Sequence, residues 1–316
     1  MNPRHFLTLN SLNRDELLSI INRASVLKKQ TKEKNYETTL NNRVLGMIFE
    51  KSSTRTRVSF ETGMAQLGGH AIYLSPTGSQ IGRGEPIKDT SRVLSQMVDF
   101  IMLRTFEHER LEKFASYSDV PVINGLSDSF HPCQLLADLL TYYENRGSIE
   151  GKKVVWLGDG NNMCHSYMNA AKIFNFQLIL SCPEGYDPDA VVLESTKEFV
   201  SIERNPQIAV ENTDLVVTDV WTSMGQEKEQ KQRLEQFVPY QVNTNLMECA
   251  NEDALFMHCL PAHRGEEVSE AVLEGPQSVV WEEAGNRLHS QKALLEFLLN
   301  YLCILFSTMS CFISEM

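Results

Sequence analysis

Residues 44–69 read VLGMIFEKSSTRTRVSFETGMAQLGG. The first six are a largely apolar run of strand length, and a helical pattern follows, with Phe60, Met64 and Leu67 at i, i+4 and i+7. Ser53 and Thr54 fall where a helix N-cap sits, and Gly68 and Gly69 supply a stop. A strand that empties into a helix start offers unpaired N–H groups and the positive end of the helix dipole. Arg55, Arg57 and the hydroxyls of residues 52–56 can complete the coordination of an anion such as phosphate there. The plain alternative is that the hydroxyls only cap the helix and both arginines pair with surface acids.

Outward from this stretch the pattern repeats. Upstream, Leu17, Ile20, Ile21, Ala24 and Leu27 form one stripe of an amphipathic helix over 13–34, suited to covering a domain face. Downstream, strand patterns at 70–75, 100–104 and 121–126 alternate with helical ones at 87–97, 107–116 and from near His131 through Tyr143. A second series opens at Lys152, with strands at 154–157, 178–181, 215–220, 255–260 and 278–281, and helices at 162–174, 188–200, 226–237 and 266–273. This alternation predicts parallel sheets with helices on both faces. Polar residues at Asn145, Arg146 and Gly147 mark a boundary. The expected architecture is therefore α/β: two doubly wound parallel-sheet domains, 1–147 and 148–299, with the active site in the cleft between them and an apolar tail at 300–316.

The bulk composition narrows the partners. A length of 316 residues suits two domains with a core each, and a net charge of −12 argues against nucleic acid or an anionic membrane as the main partner. Seven scattered cysteines with no CxxC pair suit reduced thiols rather than a disulfide framework. The N-terminus lacks the apolar core of a signal peptide and is not the Arg-rich, acid-poor run of a transit peptide, so the expected location is the cytoplasm.

In parallel sheets, ligands gather beyond the carboxyl ends of the strands. There the sequence places Arg104, SDSFHPCQ (127–134), GDGNN (158–162), DVWTSMGQE (219–227) and HCLPAHR (258–264), which suggests one composite site. GDGNNM invites a dinucleotide reading, but Met163 stands where the fingerprint needs its last glycine. Asn161 and Asn162 serve equally as a turn and helix cap or as ligand contacts. Pro132 fits a first helical position, which aims a positive helix end, and His131 with it, toward the rim that carries the arginines. That makes His131 a candidate donor to a carbonyl oxygen, against the alternative of a structural histidine. His258, Cys259 and His263 raise the possibility of a metal, against simple packing of a small apolar thiol. The charged run after Asp219, Ser223 and Met224 equally suits a solvated helix face.

Taken together, FEKSSTRTRVSFE, GSQIGRGEPIKDTSRVLS, LRT at 103–105, HPCQLLADL, GDGNNMCHS, DVWTSMGQE and HCLPAHRGEEV resemble, in this order, the ornithine branch of the aspartate/ornithine carbamoyltransferase family, from about residue 5 to residue 299. The resemblance implies transfer of a carbamoyl group from carbamoyl phosphate to the side-chain amine of L-ornithine, with no metal, cofactor or covalent enzyme intermediate. It assigns the phosphate to Ser53, Thr54, Arg55 and Thr56, joined by Arg104, His131 and Gln134, with Gln80 a further carbamoyl phosphate contact. Cys259 and Leu260 lie beside the reacting centre and Arg287 is a late substrate-binding arginine, all three counted with the carbamoyl phosphate set. Ornithine falls to Asn162, Asp219, Ser223 and Met224. Catalysis falls to Arg55, Arg104, His131, Asp219 and Cys259, the last two supplying a negative or thiolate-like neighbourhood for the amine. SMGQE reads as a lid that closes on ornithine. The family also implies a homotrimer, with Gln80 reaching a neighbour's site.

Two departures stand out. Gly285 precedes Asn286 and Arg287 where relatives often carry glutamate, and the tail NYLCILFSTMSCFISEM extends past the resemblance. Its continuous apolar part is shorter than the ~20 residues of a spanning helix, which favours packing on the protein or a subunit contact over a membrane tether. Rival readings are a carbamoyltransferase for putrescine or an N-acylated ornithine, and a non-catalytic carbamoyl phosphate-binding homologue. The HCLPAHRGEEV stretch looks more biosynthetic than degradative.

Overall fold

A computed structural model describes residues 3–75, 84–222 and 230–313; Gln80, Ser223, Met224 and the rest of SMGQE lie outside the described residues. The chain forms two compact units, Met1–Leu136 with Asn286–Met316, and Ala137–Gly285.

The first unit opens on helix α1 (Arg14–Lys32), whose expected apolar stripe is buried. Asn13 and Glu16 close a reciprocal capping box, with bonds of 3.0 and 2.9 Å, and Lys29 and Lys32 complement the dipole at the far end. Strands β1 (Val44–Phe49), β2 (His70–Leu74), β3 (Phe100–Arg104) and β4 (Val122–Leu126) form a parallel sheet in the order β2-β1-β3-β4. Helices α2 (Thr54–Gln66), α3 (Ile87–Ser95) and α4 (His108–Ala115) connect them, and α5 (Pro132–Arg146) leaves the last strand. Strand β3 is buried along its whole length. Each fully buried Leu, Ile or Phe there is worth ~1.5–3 kcal/mol relative to exposure.

The second unit is a five-stranded parallel sheet built from β5 (Lys153–Leu157), β6 (Gln177–Ser181), β7 (Val200–Ile202), β8 (Leu215–Thr218) and β9 (Leu255–His258), in the order β7-β6-β5-β8-β9. Its helices are α6 (Asn162–Phe174), α7 (Ala190–Thr196), α8 (Pro206–Val210), α9 (Gln230–Phe237), α10 (Thr244–Met247) and α11 (Glu270–Leu273); the terminal α12 runs over Val280–Ile313.

Two expectations change. The strand pattern at 278–281 yields a single bridge, Ser278 to Phe256, because α12 begins at Val280 with Glu282 and Glu283 in its dipole-favoured first turn. The helix expected over 188–200 stops at Thr196, which leaves Val200–Ile202 to pair with β6 as an edge strand. By compactness, Arg287 falls with the first unit, Met1–Leu136 with Asn286–Met316. Among the described residues no helix is long and apolar enough to cross a membrane, and α12 carries the tail backbone helically to Ile313.

Buried histidines set an acid-side weakness. Burial, then Lys292, Lys28 and Lys32, hold His289 on α12 down to about 4. The unfolded chain takes that proton near 6.5, so between these values it binds more protons than the folded one, and stability falls as pH falls through the window. His289→Gln is expected to lose less thermal stability than the wild type between pH 6.5 and pH 4.5. Equal losses in melting curves would remove His289 as a cause.

Candidate active site

In the first unit the anion cradle forms around the start of α2. Ser53 is its N-cap, accepting from Thr56 N at 3.3 Å and donating to Thr56 Oγ1 at 3.1 Å. The two arginines of this stretch have different fates. Arg57 is exposed, pairs with Glu61 at 2.9 Å and lies 4.0 Å over the Tyr73 ring, so the plain alternative holds for it. Arg55 is half-buried and lies close enough to His131 to act on its charge.

Arg287 connects the starts of two helices. It donates to Gln134 Oε1 in the first turn of α5 at 2.6 Å and to Thr56 Oγ1 in the first turn of α2 at 3.3 Å, with all three residues nearly inaccessible. With the Gln291 amide oxygen turned toward it, Gln291 accepts from Arg287 Nε and Nη2 at 3.2 and 2.8 Å. Arg104 ends β3 and is 7% exposed. His131, 5% exposed, immediately precedes α5. Burial, then Arg287, Arg104 and Arg55, hold its pKa well below the ordinary value. The result is a neutral imidazole among three guanidinium groups, a field that favours a multiply charged anion and a ring able to donate one N–H.

In the second unit the reactive residues converge at the ends of β5, β8 and β9. Asp219 follows β8 and accepts from Asn161 Nδ2 at 3.0 Å and from the Cys259 thiol at 3.1 Å. Asn161, the N-cap of α6, holds Met163 N and Cys164 N with its oxygen, so one amide both caps the helix and fixes the carboxylate. Asn162 is the first residue of that helix. Burial, then Asp219, Glu283 and Asp138, push the Cys259 thiol well above its usual value. The thiolate-like neighbourhood expected from sequence is therefore corrected: Cys259 is a protonated thiol that donates, and the negative charge belongs to the carboxylates. Tyr167 donates to Asp138 at 2.8 Å, and its pKa is raised by burial, then by Asp138 and Glu283.

The metal and dinucleotide alternatives both meet an obstacle in the donor chemistry. Donor atoms of Asp219, His258 and Cys259 lie within 4.8 Å of one another, yet both ring nitrogens of His258 are engaged: Nδ1 accepts from Leu260 N at 2.9 Å and Nε2 faces Glu267 Oε1 at 3.1 Å. A β-carbon on Gly160 would come within 2.3 Å of Pro188 N, so this glycine of GDGNN answers a close approach of the 187–188 backbone.

Arg55, Thr56, Arg104, His131, Gln134 and Arg287 thus share one unit, and Asp219, Cys259 and Leu260 share the other with Asn162. The sequence reading had Asn161 as a turn and helix cap but missed Gln291, Glu267 and Glu283 as supporting residues. Asn161 was legible as an N-cap; the buried glutamates follow apolar or charged runs that also suit a surface.

Two family models match the chain: the carbamoyl-P binding domain of aspartate/ornithine carbamoyltransferases over residues 4–144, and their Asp/Orn binding domain over 150–298. Ornithine carbamoyltransferase of Hydrogenovibrio crunogenus is 62% identical over 299 residues, 95% of this chain and 99% of the relative. Among solved structures, that from Burkholderia thailandensis is 50% identical with a TM-score of 0.88, covering 94% of this chain and 98% of its own. The one from Pyrococcus furiosus is 48% identical with a TM-score of 0.89, covering 94% and 97%.

Proposed function

Because the chain belongs to the aspartate/ornithine carbamoyltransferase family, we propose a division of labour among its residues in carbamoyl transfer. The reaction is that of an ornithine carbamoyltransferase: the carbamoyl group of carbamoyl phosphate passes to the side-chain amine of L-ornithine, giving L-citrulline and phosphate in arginine biosynthesis.

Residues 1–147 serve the donor and 148–299 the acceptor, with Arg287 joining the donor set. Ser53, Thr54, Arg55 and Thr56 hold the phosphate with Arg104, Gln134 and Gln80. The amine attacks the carbamoyl carbon, an N–C bond forms, the C–O bond to phosphate breaks, and the nitrogen gives up a proton, which the leaving phosphate takes. Charge grows on the carbamoyl oxygen and on the leaving phosphate, so donors aimed at both lower the barrier. Arg55, Arg104 and His131 do this work, and the observation that carries the reading is the neutral His131 among three guanidinium groups. Asp219, with Asn162, Ser223 and Met224, receives ornithine, and Cys259 and Leu260 flank the reacting centre. A carboxylate beside an ammonium attracts it but also stabilises its proton, so transfer proceeds from the small free-amine fraction.

The test is a comparison of acceptors at saturating carbamoyl phosphate, following ureido product and phosphate together. Ornithine is expected to exceed putrescine, N-acetylornithine and aspartate in kcat/KM. Faster turnover of another amine would reassign the acceptor, and no turnover with any would leave only a binding protein.

The working form is a cytoplasmic homotrimer. Support comes from the first unit, where β2 is an edge strand with Ile72 41% exposed and where Val58, Val93 and Met97 are 54%, 49% and 70% exposed. Full activity in a species that sediments as a monomer would contradict it.

A further inference from the structure

Behind Cys259 stands a carboxylate that substrate binding does not call for. Glu267, between β9 and α11, is 0% exposed, and its Oε1 accepts from His258 Nε2 at 3.1 Å and from His263 N at 2.6 Å. Because His258 Nδ1 accepts from Leu260 N at 2.9 Å, the ring proton sits on Nε2 and points at Glu267. The backbone N–H of His258 itself donates to Glu283 Oε2 at 3.0 Å, a second carboxylate that is 1% exposed.

The backbone between these anchors is unusual. Leu260 has φ +55°, a left-handed conformation that a leucine adopts only when its surroundings enforce it. Its N–H is the one that His258 receives, so the imidazole bridges Glu267 on one side and the Leu260 amide on the other. Cys259 lies between the two gripped residues, with its thiol on Asp219 Oδ1 at 3.1 Å. A core needing only volume here would use an apolar side chain, since a buried carboxylate facing a neutral ring and an amide is costly to keep.

We propose that Glu267 is a positioning residue for the carbamoyl acceptor: by holding His258 in its Nε2–H tautomer it sets the backbone of Leu260 and the direction of the Cys259 thiol. This rests on the reading above that Cys259 and Leu260 flank the reacting centre. Glu283 acts as the second grip, on the backbone of His258, and leaves the ring free to be set by Glu267.

Three measurements on the full-length enzyme test it. Glu267→Leu removes the acceptor and is expected to lower kcat/KM for ornithine by about 10²-fold, the usual scale for a misplaced reacting geometry. Glu267→Gln keeps an oxygen for both donors and is expected to retain most of the activity. In the wild type, nitrogen NMR of the neutral His258 ring at pH 8 is expected to show a bare Nδ1 and a protonated Nε2, and the same in Glu267→Gln. Wild-type ornithine kinetics in Glu267→Leu, or an Nδ1–H ring in the wild type, overturns the proposal. So does a Glu267→Gln enzyme that keeps the tautomer and loses the activity. If Glu267→Leu does not fold, the glutamine variant and the tautomer decide. A wild-type enzyme that fails to carbamoylate ornithine strikes the reading of the reaction instead, and the tautomer measurement still judges this one.

Discussion

Replacing Arg55 with alanine is expected to lower kcat/KM by about 10²–10³-fold, or ~3–4 kcal/mol of transition-state stabilisation. Arg55 stands in the first turn of α2, half-buried, and acts on His131 together with Arg104 and Arg287. In the proposed division of labour, its removal withdraws a guanidinium from the place where charge grows on the leaving phosphate, and no backbone N–H can replace a full charge there. The loss should fall on kcat as well as on the KM for carbamoyl phosphate, because the developing dianion needs more neutralisation than the bound ester. Arg57→Ala is the internal control: Arg57 is exposed and occupied with Glu61 and Tyr73, so its removal should leave kcat/KM close to the wild type. Initial rates over both substrates check the pair, and equal effects of the two substitutions would dismiss the cradle as drawn.

The second large effect is expected on the acceptor side. Asp219→Asn keeps the side-chain volume and an oxygen for the Cys259 thiol and the Val220 N–H, now at 3.1 and 2.8 Å. It removes the charge and turns an amide NH₂ toward Asn161 Nδ2, a donor that the carboxylate accepts at 3.0 Å. A hydrogen bond to a charged group is worth ~1.5–3 kcal/mol, so kcat/KM for ornithine should fall by about 10–10²-fold. Carbamoyl phosphate should bind with little change in affinity in calorimetry, since the guanidinium groups proposed to hold its phosphate, Arg55, Arg104 and Arg287, belong to the other compact unit. An unchanged KM and kcat for ornithine would take Asp219 out of the acceptor site.

The parts of this arrangement that sequence disclosed are those with local signatures. The cap at Ser53, the strand run before it and the helix after it needed only spacing, and His131 before Pro132 was legible as a helix start. The difference between Arg55 and Arg57 was not legible, because it depends on Tyr73 and Glu61 lying beside one side chain and His131 near the other. Nor was the membership of Arg287 in the first unit, which is decided by a helix that begins in one unit and ends in the other. The strand expected at 278–281 failed for a related reason: the apolar Val279, Val280 and Trp281 have strand propensity, while the glutamates that follow start a helix. The protonated state of Cys259 is likewise a long-range property, set by burial and by Asp219, Glu283 and Asp138.

Carbamoyl phosphate labelled with carbon-13, mixed with the enzyme and ornithine and followed by NMR, tests the central claim most directly. The account predicts that the label moves into the ureido carbon of citrulline with one phosphate released for each citrulline formed. Phosphate released without labelled citrulline, or label lost only as the products of carbamoyl phosphate hydrolysis, would contradict it.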